Sequence, residues 1–330
     1  MAHAIVQARP APSRVLVTGA NGFIGSALCR ALTEAGVTMR RAVRRTIAAE
    51  NQPKKSTFEV GEISGSANWT EALRGIECVV HLVSPAGVEG AATADQLAQY
   101  RRVNVAGSRR LAEQAAAAGT RRLVFMSTIK VNGEASRERP FTENDLPRPE
   151  DAYGISKWEA EQVLRRIAAE TGLEVIVLRA PLVYGPGVKG NFLRLMNWVA
   201  RGWPLPLASV HNCRSLIYLG NLVDAIIAAV NAPQPIDQTY LVSDGEDVST
   251  PELVRRIAAA LGVRPRLLPC PVALLRLGAA ALGRADDVAR LIGSLQIDSS
   301  KIRRELGWTP RYDMASGLQE TARWFRTVKR

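Results

Sequence analysis

The sequence lacks the marks of several common protein classes. Its four cysteines lie far apart and show no paired spacing: Cys29, Cys78, Cys213 and Cys270. That distribution fits neither a zinc site nor a disulfide framework, so it predicts a reducing, cytoplasmic environment. The three histidines are scattered as well, and no metal site is expected. No Gly-x-Ser-x-Gly elbow is present, which argues against a Ser-His-Asp hydrolase.

Long apolar runs are also missing. No run reaches the ~18–20 residues that cross a bilayer, so no integral membrane segment is expected. The nearest stretch, Val272 to Leu282, is interrupted by Arg276. The preferred interpretation is a helix packed on its own protein, and contact with a membrane surface is the alternative. No signal peptide is visible in the first thirteen residues, which read as a flexible arm rich in Ala and Pro.

The charge balance is basic, but the basic residues form no block. The 43 Lys and Arg against 31 Asp and Glu give a net charge of +12, and aromatic residues make up only 5% of the chain. Nucleic-acid binding proteins cluster their basic residues on one face. The scattered arginines therefore argue against a nucleic-acid partner. They fit an enzyme that draws in anionic substrates, or a basic solvated surface.

Strand and helix patterns alternate through the first half of the chain. Short apolar runs such as 15–18, 37–43 and 78–83 predict buried strands, and a long alanine-rich helix is predicted over 96–118. A second long helix is predicted over 153–171. Such alternation implies an α/β fold with a doubly wound, parallel Rossmann sheet.

Past residue 179 the pattern loosens and proline and glycine become frequent. We expect one domain over 14–178 and a smaller, mostly helical domain over 179–330. Within the second part, Thr250-Pro251 predicts a helix start, with Thr250 as the cap.

A glycine-rich turn follows the first predicted strand. The segment is Gly19-Ala20-Asn21-Gly22-Phe23-Ile24-Gly25, and a helical pattern begins directly after it. Gly19 allows a tight turn, Gly22 lets the backbone approach a pyrophosphate, and Gly25 lets the helix pack close to the strand. The free N–H groups of the helix N-terminus then face the phosphates. Strand, turn and helix in this order predict a dinucleotide-binding site.

A tyrosine and a lysine lie four residues apart in the second long helix. Tyr153 and Lys157 then project from one helix face, about one turn apart. A lysine ammonium near a phenol favours the phenolate, so we expect Lys157 to lower the pKa of Tyr153. A tyrosine tuned in this way exchanges a proton with a substrate oxygen near neutral pH. The spacing alone is common by chance, and the preceding nucleotide-binding unit makes it informative.

The end of the second predicted strand bears on the cofactor. It reads Ala42-Val43-Arg44-Arg45, and no Asp or Glu occurs between Val37 and Thr46. An acidic residue there holds the ribose 2′-OH of NAD, whereas an arginine accommodates the 2′-phosphate of NADP. We therefore favour NADP, with Arg44 and Arg45 as ligands. The alternative is an NAD enzyme with two surface arginines.

Together these motifs resemble the extended short-chain dehydrogenase/reductase family, of the NAD-dependent epimerase/dehydratase type. The resemblance runs from Arg14 to Trp324 and also includes segments 100–107, 126–128, 178–186 and 214–225. Within the family, the chain looks nearest to bacterial nucleotide-sugar 4-reductases and 4-epimerases of O-antigen and lipopolysaccharide biosynthesis. One departure is Val131-Asn132-Gly133, where the family has Val-Tyr-Gly.

The resemblance implies roles for further residues. Thr128, three residues before Val131, matches the hydroxyl that bonds the substrate oxygen, with Ser127 in reserve. Lys157 is expected to reach the nicotinamide ribose, and Asn104 to support the hydrogen bonds on the cofactor side. The other expected cofactor contacts are Asn21, Phe23, Ile24, Glu62, Ile63, Leu82, Val83, Ser84 and Pro181.

The resemblance also implies a UDP-sugar substrate and a homodimer. Asn191 and Arg214 match family positions that meet the diphosphate, and Arg290 is a weaker candidate. A guanidinium suits a diphosphate because its donors fork to two oxygens. The two long helices, 96–118 and 153–171, would form the dimer contact.

The resemblance further implies that the domain over 14–178 binds NAD(P) and that the domain over 179–330 binds the nucleotide sugar. It also implies that segments near 179–190 and 215–245 return partly to the first domain.

Three functions remain open from the sequence. The favoured one is a reductase that delivers hydride from NAD(P)H to C4 of a UDP-4-keto-6-deoxy-hexosamine and forms UDP-N-acetylquinovosamine, with Tyr153 as proton donor. The alternative is a UDP-hexose or UDP-N-acetylhexosamine 4-epimerase with tightly bound NAD. A non-catalytic, NADP-binding regulatory protein is disfavoured, since such relatives typically lack the Tyr/Lys pair.

Overall fold

The computed structural model describes residues 10–45, 56–85, 94–233 and 238–328. Most of the predicted N-terminal arm, residues 1–9, lies outside these ranges. The strands of the described residues are β1 (Arg14–Thr18), β2 (Thr38–Val43), β3 (Thr57–Glu59), β4 (Cys78–His81), β5 (Arg122–Thr128), β6 (Glu174–Ala180), β7 (Leu182–Tyr184), β8 (Arg214–Tyr218), β9 (Gln238–Leu241) and β10 (Asp247–Val248).

The α-helices of the same residues are α1 (Phe23–Glu34), α2 (Thr70–Leu73), α3 (Ala94–Tyr100), α4 (Ser108–Ala117), α5 (Ala152–Thr171), α6 (Gly190–Ala200), α7 (Leu219–Asn231), α8 (Thr250–Leu261), α9 (Val272–Ala281), α10 (Ala285–Ile292), α11 (Ser300–Leu306) and α12 (Met314–Val328). A π-helical segment, Arg101–Gly107, joins α3 to α4, and a 3₁₀ turn, Ile129–Val131, follows β5. Within the described ranges, no helix is long and apolar enough to cross a membrane.

Seven strands form one parallel sheet in the order β3-β2-β1-β4-β5-β6-β9. Side chains alternate between its two faces. Val15 and Val17 pack with α1 and α7, and Leu16 packs with α4 and α5 on the other face. This sheet confirms the predicted doubly wound α/β fold. Its central strands are hydrophobic at nearly every position because both faces are covered by helices.

The C-terminal half shares this sheet. β9 pairs with β6, and α7 packs on the same face as α1. The predicted domain boundary at 178 falls inside β6. A separate three-stranded sheet, β10-β8-β7, and the helices α6, α8 and α12 enclose a third hydrophobic cluster.

The predicted continuous helix over 96–118 is wrong in its middle. The chain there widens into the π-helical turn between α3 and α4. Gly107 lies so close to β3's following loop that an added Cβ would stand 2.7 Å from Cγ2 of Ile63. Gly107 is the last residue of this π-helical segment, and π turns occur often at functional sites. Apolar periodicity does not reveal such a turn.

The start of α8 also differs from the expectation. Ser249, not Thr250, is the cap, and its Oγ accepts a hydrogen bond from the Glu252 amide at 3.3 Å. Thr250 is the first helical residue, and its hydroxyl donates to the Leu291 carbonyl at 2.6 Å. The Ser-Thr-Pro run offers two capping hydroxyls, and the contact with Leu291 draws the second one away.

Candidate active site

The glycine turn between β1 and α1 is built for a close approach. Gly19 has a φ of +67°, and a Cβ on Gly25 would stand only 2.1 Å from the Gly19 carbonyl oxygen. Within the described chain, no side chain caps the N-terminus of α1, and its first turn carries no acidic residue. The free N–H groups and the bare backbone fit the pyrophosphate of a dinucleotide.

A buried histidine fixes the end of β4 beside this turn. His81 Nδ1 lies 2.7 Å from Thr18 Oγ1, and its Nε2 lies 3.0 Å from Ser108 Oγ. Burial lowers the pKa of His81 to about 3, and the charge of Lys157 acts in the same direction. The imidazole is therefore neutral and joins β1, β4 and α4. It is a structural residue.

Tyr153 and Lys157 converge on the residues after β4. The Lys157 ammonium donates to the Met126 carbonyl at 2.9 Å and lies 3.5 Å from the Val83 carbonyl. The Tyr153 hydroxyl shares a hydrogen bond with the Ser84 side chain. Gly19 reaches the same segment, since a Cβ there would stand 3.4 Å from the Leu82 backbone. The glycine turn, the β4 end and the Tyr/Lys pair thus form one site.

The pKa values of the pair reverse one expectation. Burial raises the pKa of Tyr153 to about 12, although the hydrogen bond with Ser84 acts to lower it. Burial also lowers the pKa of Lys157 to about 7, although the negative charge of the Glu161 carboxylate acts to raise it. The expectation that Lys157 lowers the pKa of Tyr153 is wrong for this structure. The ammonium faces backbone carbonyls and not the phenol, and desolvation outweighs any attraction between them.

The two hydroxyls at the end of β5 have different surroundings. Ser127 Oγ donates to Glu161 Oε1 at 2.5 Å, inside a buried ion pair in which Arg179 Nη2 lies 2.6 Å from Glu161 Oε2. Thr128 Oγ1 accepts from the Lys130 amide at 3.3 Å. Among the described residues it serves only as an acceptor, so its proton is free for a ligand. The environment therefore suits Thr128 for the substrate oxygen and Ser127 for a structural role.

The π-helical segment is tied to the first turn of α5. Asn104 is buried and donates from Nδ2 to Ser156 Oγ at 2.9 Å, and Ser156 donates to the Tyr153 carbonyl at 2.8 Å. Within the described ranges, Asn104 Oδ1 has no partner. Asn104 therefore positions the backbone of Tyr153, and its carbonyl is left for a ligand or water.

A pocket lined by two arginines and two glutamates lies at the ends of β2 and β3. Arg44, Arg45, Glu59, Gly61 and Glu62 line a pocket of about 440 Å³. Glu62 forms an exposed ion pair with Arg102 at 2.8 Å.

Sequence reasoning missed Arg41 on β2. Its Nη2 donates to Asn21 Oδ1 of the glycine turn at 3.3 Å. Parallel pairing of β1 and β2 sets Arg41 beside Val17, one residue before the end of β1. The sequence alone does not give this register, so it does not indicate the contact. Of the other predicted cofactor contacts, Ile63 is buried against Gly107, and Pro181 is buried between β6 and β7. Phe23 and Ile24 open α1 and pack partly on the core.

Two of the three predicted diphosphate ligands lie together. Arg214 Nη1 donates to the carbonyls of Arg290 at 2.5 Å and Gly293 at 3.0 Å, and burial lowers its pKa. The Arg290 guanidinium is 3.8 Å from carboxylates of both Glu134 and Asp151. Asn191 instead is exposed in the first turn of α6, where it accepts a hydrogen bond from Arg194. No contact within the described chain joins Asn191 to the two arginines.

Arg290 belongs to a charged cluster beside Tyr153 whose other members are Lys130, Glu134 and Asp151. Sequence reasoning missed these three residues. Lys130 Nζ lies 2.9 Å from Glu134 and also pairs with Asp151. Asp151 caps α5 by accepting the Gly154 amide at 2.7 Å, and its charge raises the pKa of Tyr153. The available signal was Asp151 two residues before Tyr153, in the position of a helix cap.

Asn132, which replaces the family tyrosine, is turned inward. It is buried, accepts from Arg179 Nη1 at 2.9 Å and donates to the Thr142 carbonyl at 2.9 Å. It stabilises the loop after β5 and does not line the site. No group of three or more His, Cys, Asp and Glu that would hold a metal occurs in the described part of the chain.

Comparison with known proteins identifies the family. The model of the NAD dependent epimerase/dehydratase family matches residues 15–243. The chain belongs to this family. It is 41% identical to a UDP-glucose 4-epimerase of Vibrio cholerae over 320 residues, which cover 96% of this chain and 97% of that protein. It is 25% identical to an undecaprenyl-diphosphate-linked N-acetylglucosamine 4-epimerase of Escherichia coli O157:H7, with 94% of each chain covered.

Solved structures support the same assignment. MoeE5 in complex with UDP-glucose and NAD aligns with a TM-score of 0.78 and 29% identity, over 96% of this chain and 100% of that chain. The family resemblance and the Rossmann-type sheet expected from the sequence are confirmed. The protein is thus an enzyme of the NAD-dependent epimerase/dehydratase type. The glycine turn, the buried Lys157 and the unpaired carbonyl of Asn104 fit the dinucleotide that this family name implies.

Proposed function

We propose that this protein is a nucleotide-sugar 4-epimerase that acts on a UDP-hexose or UDP-N-acetylhexosamine with bound NAD. The convergence of Tyr153, Lys157 and the glycine turn on the residues after β4 carries the proposal. The 41% identity to a UDP-glucose 4-epimerase over nearly the whole chain supports it. These findings support the epimerase better than the reductase that the sequence favoured.

Tyr153 is the proton-transfer group of this proposal. Its pKa of about 12 means that it holds its proton at neutral pH, so deprotonation needs a positive charge nearby. NAD, if bound, would supply the acceptor for the hydride that leaves the sugar carbon and the donor that returns it. A neutral phenol cannot accept a proton, so Tyr153 acts as the base only as its phenolate, which the positive charge of bound NAD would favour. The phenolate would take the proton from the sugar hydroxyl as that carbon is oxidised, and the resulting phenol would give it back when the carbon is reduced. Thr128 donates a hydrogen bond to the same oxygen.

The charged cluster beside Tyr153 is the proposed diphosphate site. Arg214 and Arg290 offer two guanidinium groups within one small region, and forked donors suit a diphosphate. Arg290 now faces Glu134 and Asp151 at 3.8 Å, a distance too long for strong hydrogen bonds. A diphosphate would therefore compete well for it. MoeE5, at 29% identity, was solved with UDP-glucose.

One observation favours a second candidate, an NADPH-dependent 4-keto-sugar reductase. The pocket at the β2 end is lined by Arg44 and Arg45, which suit the 2′-phosphate of NADP. An enzyme that consumes NADPH must exchange it at each turnover, whereas an epimerase regenerates its NAD. The two candidates thus predict different redox balances.

The test uses purified enzyme and two substrates. An epimerase converts UDP-glucose or UDP-N-acetylglucosamine to the C4 epimer without net change in NADH or NADPH absorbance. Stoichiometric NADPH oxidation with a UDP-4-keto-6-deoxy sugar, and no epimer from the first substrates, would replace the epimerase with the reductase.

Tyr153→Phe should lower the turnover number about 100- to 10,000-fold, the usual contribution of general acid–base catalysis. The nucleotide released on denaturation should stay at the wild-type amount, because the variant keeps the aromatic ring and loses only the hydroxyl. Tyr312→Phe is the matched control, since Tyr312 is 45% exposed and packs by its ring on Tyr218. Full turnover in Tyr153→Phe would refute the assigned proton transfer.

The predicted homodimer remains part of the proposal. A groove of about 540 Å³ runs between α5 and the π-helical segment, lined among others by Arg101, Arg109 and Glu159. Light scattering on the purified protein would give the mass in solution. A monomer at assay concentration would remove the dimer from the proposal and would leave the proposed reaction unchanged.

A further inference from the structure

The helix α9 exposes an apolar face. Val272 and Leu275 pack inward on the third hydrophobic cluster. Leu274 and Leu277 lie on the opposite side and are 58% and 69% exposed, and Leu282, just past the helix, is 78% exposed. The sequence favoured a helix packed on its own protein, and only the inner face satisfies that expectation.

Two more exposed hydrophobic side chains lie in the segment that leads into α9 and in the segment paired with it. Leu268 is 51% exposed and Trp203 is 49% exposed. Their segments run side by side, because the Leu205 amide donates to the Arg266 carbonyl at 2.7 Å and the Leu268 amide to the Leu205 carbonyl at 2.8 Å. We call Trp203, Leu268, Leu274, Leu277 and Leu282 the leucine face. It holds five of the nine large exposed hydrophobic side chains found in the described part of the chain.

The leucine face has a basic surround. Residues 261–285 contain four arginines and no Asp, Glu, Lys or His. Arg264, Arg266 and Arg276 are exposed, and the Arg201 guanidinium lies over the Trp203 ring, 5.4 Å from its centroid. Helices that lie in a membrane interface combine an apolar face with flanking arginines and a tryptophan. Anionic lipid headgroups supply the opposite charge.

We propose that the leucine face docks the protein on an anionic phospholipid surface, with α9 in the plane of the interface. Leu274, Leu277 and Leu282 would enter the acyl boundary, while the arginines meet the headgroups. A second copy of the chain is a poorer occupant, because a two-fold contact would set one arginine surround against another. The docking does not depend on which reaction the enzyme catalyses.

Docking would bring the substrate side of the enzyme to the membrane. Three residues separate the end of α9 from the start of α10, and the two helices pack together. Arg290 on α10 is the residue that faces Glu134 and Asp151 beside Tyr153. The membrane contact and the proposed diphosphate site are thus joined by one short helix pair.

Vesicle flotation tests the proposal directly. The full-length protein is mixed with vesicles of phosphatidylglycerol and phosphatidylcholine, or of phosphatidylcholine alone, at about 0.1 M salt. Wild type should float with the anionic vesicles and not with the neutral ones. The double variant Leu274→Ser, Leu277→Ser should reduce the bound fraction at least about tenfold, because it removes two side chains from the apolar face.

The matched control is Leu146→Ser, which alters a leucine that is 76% exposed in the loop before α5. It should float like wild type, and the melting temperatures of all variants should agree because the changed residues are exposed. Equal flotation of wild type and the double variant would show charge attraction alone and would overturn docking through the leucine face. No flotation of wild type would overturn it too. So would a dimer in sedimentation velocity that the double variant dissociates, since a second copy would then cover the face.

Discussion

At the scale of single residues, the site contains two adjacent hydroxyls with opposite surroundings. Ser127 is held by a buried carboxylate, and Thr128 keeps its proton free among the described residues. We expect Thr128→Val to lower the turnover number about 100- to 1,000-fold with an unchanged melting temperature, the range expected for one lost transition-state hydrogen bond.

Ser127→Ala should show the converse, a loss of about 1–3 kcal/mol in the free energy of unfolding, because Glu161 loses a buried donor. Its turnover should stay near wild type. Steady-state kinetics and denaturant unfolding on both variants decide the matter. Low activity with normal stability in Ser127→Ala would exchange the assigned roles.

Lys157 links the site to a pH dependence of stability. Burial depresses its pKa from 10.5 to about 7 in the folded protein. Between these values the unfolded chain binds more protons than the folded one, so stability rises with pH in this window and is lost as the pH falls through about 7. The rise is at most about 1.4 kcal/mol per pH unit.

The measurement is the free energy of unfolding of nucleotide-free protein at several pH values from neutral to mildly alkaline. Wild type should gain stability relative to Lys157→Met as the pH increases. Parallel curves for the two proteins would show that Lys157 keeps an ordinary pKa in the folded state.

At the scale of elements, the contact between β1 and α1 depends on one glycine. A Cβ at Gly25 would stand 2.1 Å from the Gly19 carbonyl and 2.9 Å from the Ala20 Cα, and both are backbone atoms that cannot move aside cheaply. Gly25→Ala should cost about 1–3 kcal/mol of stability, as overpacking does, and should weaken NAD binding because the turn shifts.

Ser26→Ala is the control, since Ser26 is exposed and its hydroxyl donates to the Phe23 carbonyl within its own turn. Thermal melts and calorimetric titration with NAD should separate the two variants. Unchanged melting and affinity in Gly25→Ala would contradict the packing described here.

At the scale of the whole molecule, the sequence predicts short local patterns well and contacts between distant residues poorly. The glycine turn and the Tyr153/Lys157 pair are short patterns on predictable elements, so the sequence placed them on the right strand and helix ends. The cluster of Glu134, Asp151 and Arg290 is assembled from residues up to 156 positions apart, so no local pattern indicates it.

The pKa of Tyr153 depends on burial, which spacing does not report. The π turn that contains Asn104 ends where Gly107 packs closely on Ile63, a contact between residues 44 positions apart that helical periodicity does not indicate. The sequence favoured the reductase because of two arginines at a strand end, but such arginines indicate a cofactor and not a reaction. The comparison with relatives supports the epimerase better.

The central claim is that the site moves a hydride from C4 of a nucleotide sugar and returns it to the same carbon. UDP-glucose deuterated at C4 tests this most directly, with the UDP-galactose product analysed by mass spectrometry and NMR. The account predicts that the product keeps its deuterium at C4, because the hydride never exchanges with water. Loss of the deuterium to solvent, or its transfer to free reduced cofactor without epimer formation, would contradict it.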